Sequence, residues 1–138
     1  MEGIYYHTMD AKGRLFVPSQ LRNELGPTFF VTLSMENCLS AYSAESWKSF
    51  SDRIKAMPRV QQIRMRPLYS HAARVEPDGQ GRILLPQELR DRVGLKKDIA
   101  VVGNGDNMQI WDADEWRRVD EVETSAENIA AVFAELDF

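Results

Sequence analysis

The sequence has 138 residues, which is enough for one domain of ordinary size or two very small ones. Hydrophobic residues make up 43% of the chain and charged residues 28%, and no apolar run approaches the roughly 20 residues that a membrane span needs. The single cysteine, Cys38, excludes an internal disulfide, and the N-terminal residues do not resemble a signal peptide, so we expect a cytoplasmic protein that does not bind a membrane.

The net charge of −4 is distributed unevenly along the chain. Residues 112–138 contain nine acids and two bases, which gives this segment a net charge of −7 and leaves +3 for residues 1–111. The stretch from Lys48 to Arg74 contains seven bases and a single acid, Asp52. An acidic protein of this kind can still present a local positive surface. The basic stretch is interpreted as a solvated helical surface, a subunit interface or a secondary DNA surface.

A segment of 17 residues occurs twice, at 10–26 and at 78–94, with seven identical positions. The match resumes, with one extra residue, at 42–47 against 111–116. The repeat is therefore a whole module of about 40 residues. Two copies are too few for a solenoid, which needs at least about three stacked repeats. We expect the two modules to fold together around a pseudo-two-fold axis.

Both modules predict the same elements in the same order. Each begins with an alternating strand (4–9 and 73–76), a tight turn (10–13 and 78–81) and a short apolar strand (14–17 and 82–85). A proline then precedes one or two helical turns (19–25 and 87–93), which end at a glycine. A strand pair follows in each module, at 29–33 with 39–42 and at 99–102 with 108–111.

Helices are predicted after each strand pair and between the modules. Ser43 is expected to cap the first, and Asp112 with Glu115 resembles a capping box for another. Thr124 with Glu127 is expected to begin a C-terminal helix. Residues 59–69 are predicted to be helical up to a kink or end at Pro67. Aromatic residues on these helices are expected to be core or interface anchors: Trp47, Phe50, Trp116 and Phe133.

The duplicated turn, Asp-x-x-Gly-Arg, is the candidate binding site. An aspartate can bond its own backbone two residues on, and glycine adopts positive φ without steric cost, so the expected turn-fixing residues are Asp10, Gly13, Asp78 and Gly81. An arginine follows each turn, and its planar fork suits phosphate oxygens or guanine. The expected DNA-binding residues are Lys12, Arg14 and Arg82, while Gln80 replaces lysine in the second copy. The simpler interpretation is a solvated arginine after a capped turn, but drift between copies would erase an arginine that has no role.

These paired motifs resemble the MraZ family of bacterial transcriptional regulators, whose modules belong to the AbrB-like swapped-hairpin group. The prolines Pro18 and Pro86, the Leu-Arg pairs at 21–22 and 89–90, and the length also fit. The resemblance implies an α+β fold in which two pseudo-symmetric AbrB-like β-hairpin modules form one swapped-hairpin β-barrel, flanked by helices. The expected boundaries are 1–57 for the first module with its closing helix, 58–73 for a helical linker, 74–119 for the second module and 120–138 for an acidic C-terminal helix.

The resemblance also implies a function. It implies a nucleoid-associated regulator of the division and cell-wall gene cluster, including its own promoter, that binds short direct repeats in double-stranded DNA as a ring-shaped homo-oligomer. The alternative is an antitoxin-like protein-interaction module that uses its acidic C-terminal helices. The sequence contains no recognisable catalytic set, metal set or phosphate-binding loop, so we predict no enzymatic activity and no cofactor. Arg22 and Arg90 also recur, and for them a salt bridge near the opposite module and a DNA contact both remain open.

Overall fold

The computed structural model describes residues 1–137, which leaves Phe138, the last residue of the predicted C-terminal helix, outside the described residues. Within this range the chain is of the α+β class. The strands are β1 (Ile4–Thr8), β2 (Arg14–Phe16), β3 (Phe29–Leu33), β4 (Leu39–Ser43), β5 (Ala73–Val75), β6 (Arg82–Leu84), β7 (Asp98–Gly103) and β8 (Met108–Asp112). The helices are α1 (Ser19–Leu25), α2 (Ala44–Lys55), α3 (Arg59–Arg64), α4 (Arg66–Ser70), α5 (Gln87–Arg92), α6 (Ala113–Glu123) and α7 (Ala126–Glu135).

The two modules exchange their first strands. β1 of the first module pairs antiparallel with β7 of the second, and β5 of the second pairs antiparallel with β3 of the first. The resulting six-stranded sheet has the order β1-β7-β8-β4-β3-β5, and β2 and β6 form a separate two-stranded antiparallel ribbon. In the described part of the chain no ladder joins β1 to β5, which lie at opposite edges, so the sheet is open and the expected barrel is not confirmed.

A continuous apolar core lies between the ribbon, the sheet and the short helices. The ribbon contributes Leu15 and Ile83, and the helices after each proline contribute Leu21 and Leu89. All four side chains are at most 1% exposed. Because the same positions of both modules supply this core, removing either module would expose the apolar surface of the other.

Two helix starts differ from the expected caps. The Ser43 hydroxyl accepts a hydrogen bond from the amide of Ser46, as predicted. The capping box at Asp112 is wrong, because its carboxylate accepts instead from the amide of Lys96, 3.2 Å away, and the side chain makes no cap hydrogen bond. The start at Thr124 is also wrong: Ser125 caps α7 by accepting from Asn128.

The linker between the modules is two short helices rather than one. α3 ends at Arg64, and Pro67 lies in the first turn of α4, where its missing amide N–H costs no helical hydrogen bond. This agrees with the predicted break near Pro67. None of the helices within residues 1–137 combines the length and apolar content that crossing a membrane requires.

The tryptophans of the two modules lie in different surroundings. Trp116 packs on Trp111 at a ring distance of 5.5 Å and is 8% exposed, which agrees with the expected core role. Trp47 stacks on Phe30 at 5.1 Å and contacts Phe50, but it is only half-buried. The aromatic cluster of the first module is therefore closer to solvent than its counterpart in the second.

Candidate nucleic-acid interface

The first turn is held by the side chain of Asp10. Its Oδ1 accepts hydrogen bonds from the backbone amides of Lys12 and Arg14, at 3.0 and 2.9 Å. Its Oδ2 accepts from Nε of Arg14 at 2.6 Å. The hydrogen bond from the Arg14 amide, with the ion pair to the same residue, lowers the pKa of Asp10 from its ordinary value. One carboxylate thus fixes both the turn and the direction of the arginine.

The second turn repeats this arrangement in every contact. Oδ1 of Asp78 accepts from the amides of Gln80 and Arg82, at 2.9 and 3.0 Å, and Oδ2 accepts from Nε of Arg82 at 3.1 Å. The hydrogen bond from the Arg82 amide is the largest cause of a lowered pKa at Asp78. Two independent copies of the sequence therefore place an arginine in the same orientation.

The arginines share the outer face of the ribbon. Leu15 and Ile83 pair directly and are fully buried, so their neighbours in β2 and β6 lie on the opposite face. Arg14 pairs with Leu84 and Arg82 pairs with Phe16, which makes the arginines diagonal neighbours, roughly 7–8 Å apart at their Cα atoms. Their side chains are 40% and 32% exposed.

The terminal nitrogens of both guanidinium groups are available to a ligand. Within residues 1–137 the side-chain hydrogen bonds of Arg14 and Arg82 come from Nε alone, and their Nη atoms have no hydrogen-bond partner. In each guanidinium an aspartate therefore binds the Nε side, while the two Nη atoms have no protein partner among the described residues. The edge formed by the two Nη atoms can donate two parallel hydrogen bonds to a phosphate or to guanine.

Lys12 and Gln80 occupy equivalent exposed positions at the tips of the turns. Neither side chain has a partner in the described part of the chain, and only their backbone amides bind the aspartates. Lys12 adds an exposed positive charge beside Arg14, whereas Gln80 adds none beside Arg82. The two turns are thus alike in geometry and unequal in charge.

Each turn glycine is enclosed by the other module. Gly13 has φ +89°, and a Cβ there would lie 2.7 Å from both the Leu85 carbonyl oxygen and Nε of Arg90. Gly81 has φ +78°, and a Cβ there would lie 2.8 Å from the guanidinium carbon of Arg22. The amide of Leu85 also donates to the carbonyl of Gly13, at 2.9 Å. The turns are therefore positioned by each other's modules.

Arg22 and Arg90 support these turns without ion pairs. Nε of Arg22 donates to the Val17 carbonyl at 2.7 Å, and Nε of Arg90 donates to the Leu85 carbonyl at 3.0 Å. Neither makes a salt bridge with any described residue, so of the two interpretations left open for them the structure does not support the salt bridge. No sequence pattern could have indicated this packing, because the arginine and the glycine it covers belong to different modules.

The sequence interpretation missed one exposed apolar residue on the ribbon. Leu84 lies on the same face as the arginines and is 58% exposed. Phe16 shares this face but is partly covered by His7, at a ring distance of 5.0 Å, and by Arg22. The alternation along β6 was the available signal, since the outward position after Arg82 is Leu84.

Other polar groups do not form a competing site. In the described range, no cluster of three or more histidine, cysteine or acidic side chains could hold a metal ion. His71 pairs with Glu88 at 2.7 Å on the surface. Burial raises the pKa of the Cys38 thiol to about 11, so this group is protonated at neutral pH.

The chain is similar to proteins of one family along its whole length. The family model described as "MraZ protein, putative antitoxin-like" matches residues 1–65 and 68–137. A protein named Transcriptional regulator MraZ from Acetivibrio thermocellus is 41% identical over 138 residues, which cover 97% of this chain and 96% of the relative. The protein of the same name from Carboxydothermus hydrogenoformans is 42% identical over 117 residues (83% and 82% covered), and that from Heliobacterium modesticaldum is 37% identical over 139 residues (98% and 97% covered).

Proposed function

Because the chain belongs to the MraZ family, we propose that it is a DNA-binding transcriptional regulator whose β2–β6 ribbon contacts double-stranded DNA. The observation that carries this proposal is the paired orientation of Arg14 and Arg82, whose Nη atoms share one exposed face. The major groove of B-DNA, about 12 Å wide, admits a two-stranded β-ribbon. Lys12 contributes a further phosphate contact, and Asp10, Gly13, Asp78 and Gly81 hold the two turns.

A single subunit offers few contacts, so we propose that the protein acts as a homo-oligomeric ring. About three phosphate contacts per subunit give a log–log salt slope of only about 2.7. A ring that presents every ribbon on one side multiplies these contacts, and successive subunits can meet successive direct repeats in promoter DNA. On this model the protein is cytoplasmic and nucleoid-associated, and it regulates the division and cell-wall gene cluster that includes its own gene.

The same proposal extends to the domain organisation. The modules at 1–57 and 74–119, joined by the linker at 58–73, form one swapped-hairpin barrel in which the ribbon closes the open sheet, and 120–138 is the acidic C-terminal segment. The exchange of β1 and β5 between the modules supports this arrangement.

The test is DNA binding by three variants, measured by fluorescence anisotropy over a salt series. Arg14→Ala should weaken binding and lower the salt slope by about 0.9 for each subunit engaged. Arg14→Lys keeps the charge but loses the planar fork, so binding should weaken with little change in slope. The matched control is Arg118→Ala, which removes an exposed arginine paired with Glu115 on α6.

Two outcomes would contradict the proposal. An unchanged affinity and slope for Arg14→Ala, with assembly intact, would remove Arg14 from the interface. Equal binding to promoter DNA and to scrambled DNA would instead favour the antitoxin-like interaction module, which has no reason to prefer a base sequence.

A further inference from the structure

The C-terminal helix α7 has no buried side chain. Every residue from Glu121 to Asp137 is exposed, and α7 packs mainly on α6. Helices shorter than about 12–15 residues are marginal in water on their own, and α7 has ten residues. A short helix that contributes no side chain to the core is expected to gain its stability by packing on a surface outside its own subunit.

One side of α7 is apolar and its surroundings are acidic. Residues at the i, i+3, i+4 and i+7 positions form an apolar stripe in which the exposed fractions are 41% for Ile129, 52% for Val132, 49% for Phe133 and 61% for Leu136. Between residues 120 and 137 there are six acids and no base. None of these carboxylates is in an ion pair with a described residue.

The linker helices present a surface of the opposite character. On α3 the residues Arg59, Val60, Ile63 and Arg64 share one side of the helix, with the apolar pair between the two arginines. Val60 is 73% exposed and Ile63 is 49% exposed. Tyr69 on α4 is 39% exposed and joins the half-buried aromatic cluster through Trp47, at a ring distance of 5.8 Å. We call the four residues of α3, at positions 59, 60, 63 and 64, the linker face.

The charge around the linker face mirrors that around α7. Between residues 53 and 74 there are six bases and no acid. In the described part of the chain none of these bases is in an ion pair; they are Arg53, Lys55, Arg59, Arg64, Arg66 and Arg74. A phosphate backbone would match the arginines but not the exposed valine and isoleucine between them. An amphipathic acidic helix matches both.

We propose that α7 of one subunit docks on the linker face of the next subunit. This inference rests on the proposed self-assembly and names the surfaces that produce it. The apolar stripe covers Val60 and Ile63, and the −6 segment lies against the +6 segment. Because the two surfaces differ, the contact is heterologous and repeats head to tail, and it closes when the last free helix reaches the first free face.

The docking also affects the proposed DNA face. Six carboxylates per subunit would repel a phosphate backbone at low salt. Held against six bases of the neighbouring subunit, they are neutralised where the two segments meet. The net charge of the assembly is unchanged, but less acidic surface is left to oppose the arginines of the ribbon.

The test uses two variants of the full chain, each with one damaged surface. Ile129→Asp/Val132→Asp damages the helix and leaves the linker face intact, whereas Arg59→Glu/Arg64→Glu damages the linker face and leaves the helix intact. Each variant alone should assemble at least about 100-fold more weakly than the parent chain by sedimentation or native mass measurement. Mixed in equal amounts, the two should form a heterodimer, because one intact helix and one intact face remain.

The controls introduce charge changes of the same sign at other positions. Ala131→Asp adds an acid on the opposite side of α7 from the stripe, and Lys96→Glu/Lys97→Glu reverses two exposed lysines ahead of β7. Both controls should assemble like the parent chain. Where a double variant loses thermal stability, Val132→Asp and Arg64→Glu replace the pairs, with the same expected results.

The possible results separate the inference from the function beneath it. Assembly of both damaged variants like the parent chain would overturn the docking and leave the proposed ring standing. Normal assembly by the helix variant alone would overturn it too, because α7 would then not be part of the contact. Two folded variants that do not assemble alone and form no heterodimer when mixed would also overturn it. A parent chain that is monomeric at every concentration would overturn the proposed self-assembly itself.

Discussion

Replacing Gly13 by alanine tests whether the two modules hold each other's turns. Alanine at this position would have to adopt a positive φ, which costs an L-residue about 1–2 kcal/mol. It would also lie 2.7 Å from the Leu85 carbonyl oxygen and from Nε of Arg90, and forcing a methyl into packed surroundings costs about 1–3 kcal/mol. We therefore expect Gly13→Ala to lower the free energy of unfolding by about 2–5 kcal/mol.

The matched control is Gly94→Ala. Gly94, which follows α5, has φ +64°, also in the left-handed region, and a Cβ there would meet no atom within 4 Å. Its expected loss is the backbone cost alone, about 1–2 kcal/mol. Urea unfolding at one fixed protein concentration measures both values.

The difference between the two variants isolates the contact between modules. If Gly13→Ala and Gly94→Ala lose the same stability, the packing of Arg90 and Leu85 on the first turn is wrong. If the contact is real, adding Arg90→Ala to Gly13→Ala should recover part of the loss, because one of the two crowding groups is gone. The Leu85 carbonyl would still prevent full recovery.

Three further predictions concern pH, the thiol and the ribbon. The pKa values of Asp10 and Asp78 are lower in the folded protein than the ordinary value of 3.8. Their contribution to stability is therefore present above pH 3.8 and is lost as the pH falls through the folded pKa values. When the free energy of unfolding is measured during acid titration, Asp10→Asn should lose less stability than the parent chain. The Cys38 thiol, with a pKa of about 11, should react with a thiol reagent at pH 8 only after urea unfolds the chain, and rapid labelling of the native protein would contradict its burial. Leu84→Ala should weaken DNA binding by roughly 10-fold without changing the salt slope, since it removes an apolar contact and no charge; a changed slope would mean that the ribbon itself had moved.

Much of the local structure is predictable because the same local sequence pattern occurs in both modules. The turns, the short strands, the prolines that precede α1 and α5, and the break near Pro67 depend on residues that are neighbours in the chain. The cap of α7 was misplaced by one position because Thr124 and Ser125 can both serve as caps. Which of the two caps the helix depends on where α6 ends. The Thr124 hydroxyl donates a hydrogen bond to the carbonyl of Asp120, so it does not cap α7.

Local patterns of this kind do not reveal which strands pair with one another or what the recurring Arg22 and Arg90 contact. Alternation in β1 is satisfied equally by pairing with β3 or with β7, so periodicity alone does not indicate the exchange. The Asp112 carboxylate could cap its own helix, but the loop before β7 brings the Lys96 amide closer. Arg22 faces a glycine of the other module, whose missing side chain leaves no mark in the sequence around position 22.

The exchange of β1 also determines when this protein can fold during its own synthesis. Ile4 pairs with Val102, so the first strand made must wait for 98 further residues before its partner exists. At about 5–20 residues per second, that delay is roughly 5–20 s, and the ribosome itself hides the partner for longer. Throughout this time the nascent chain exposes an unpaired strand edge and the apolar halves of a shared core. The first module therefore cannot be completed until β7 of the second has been made, so the sheet of this protein forms only late in its synthesis.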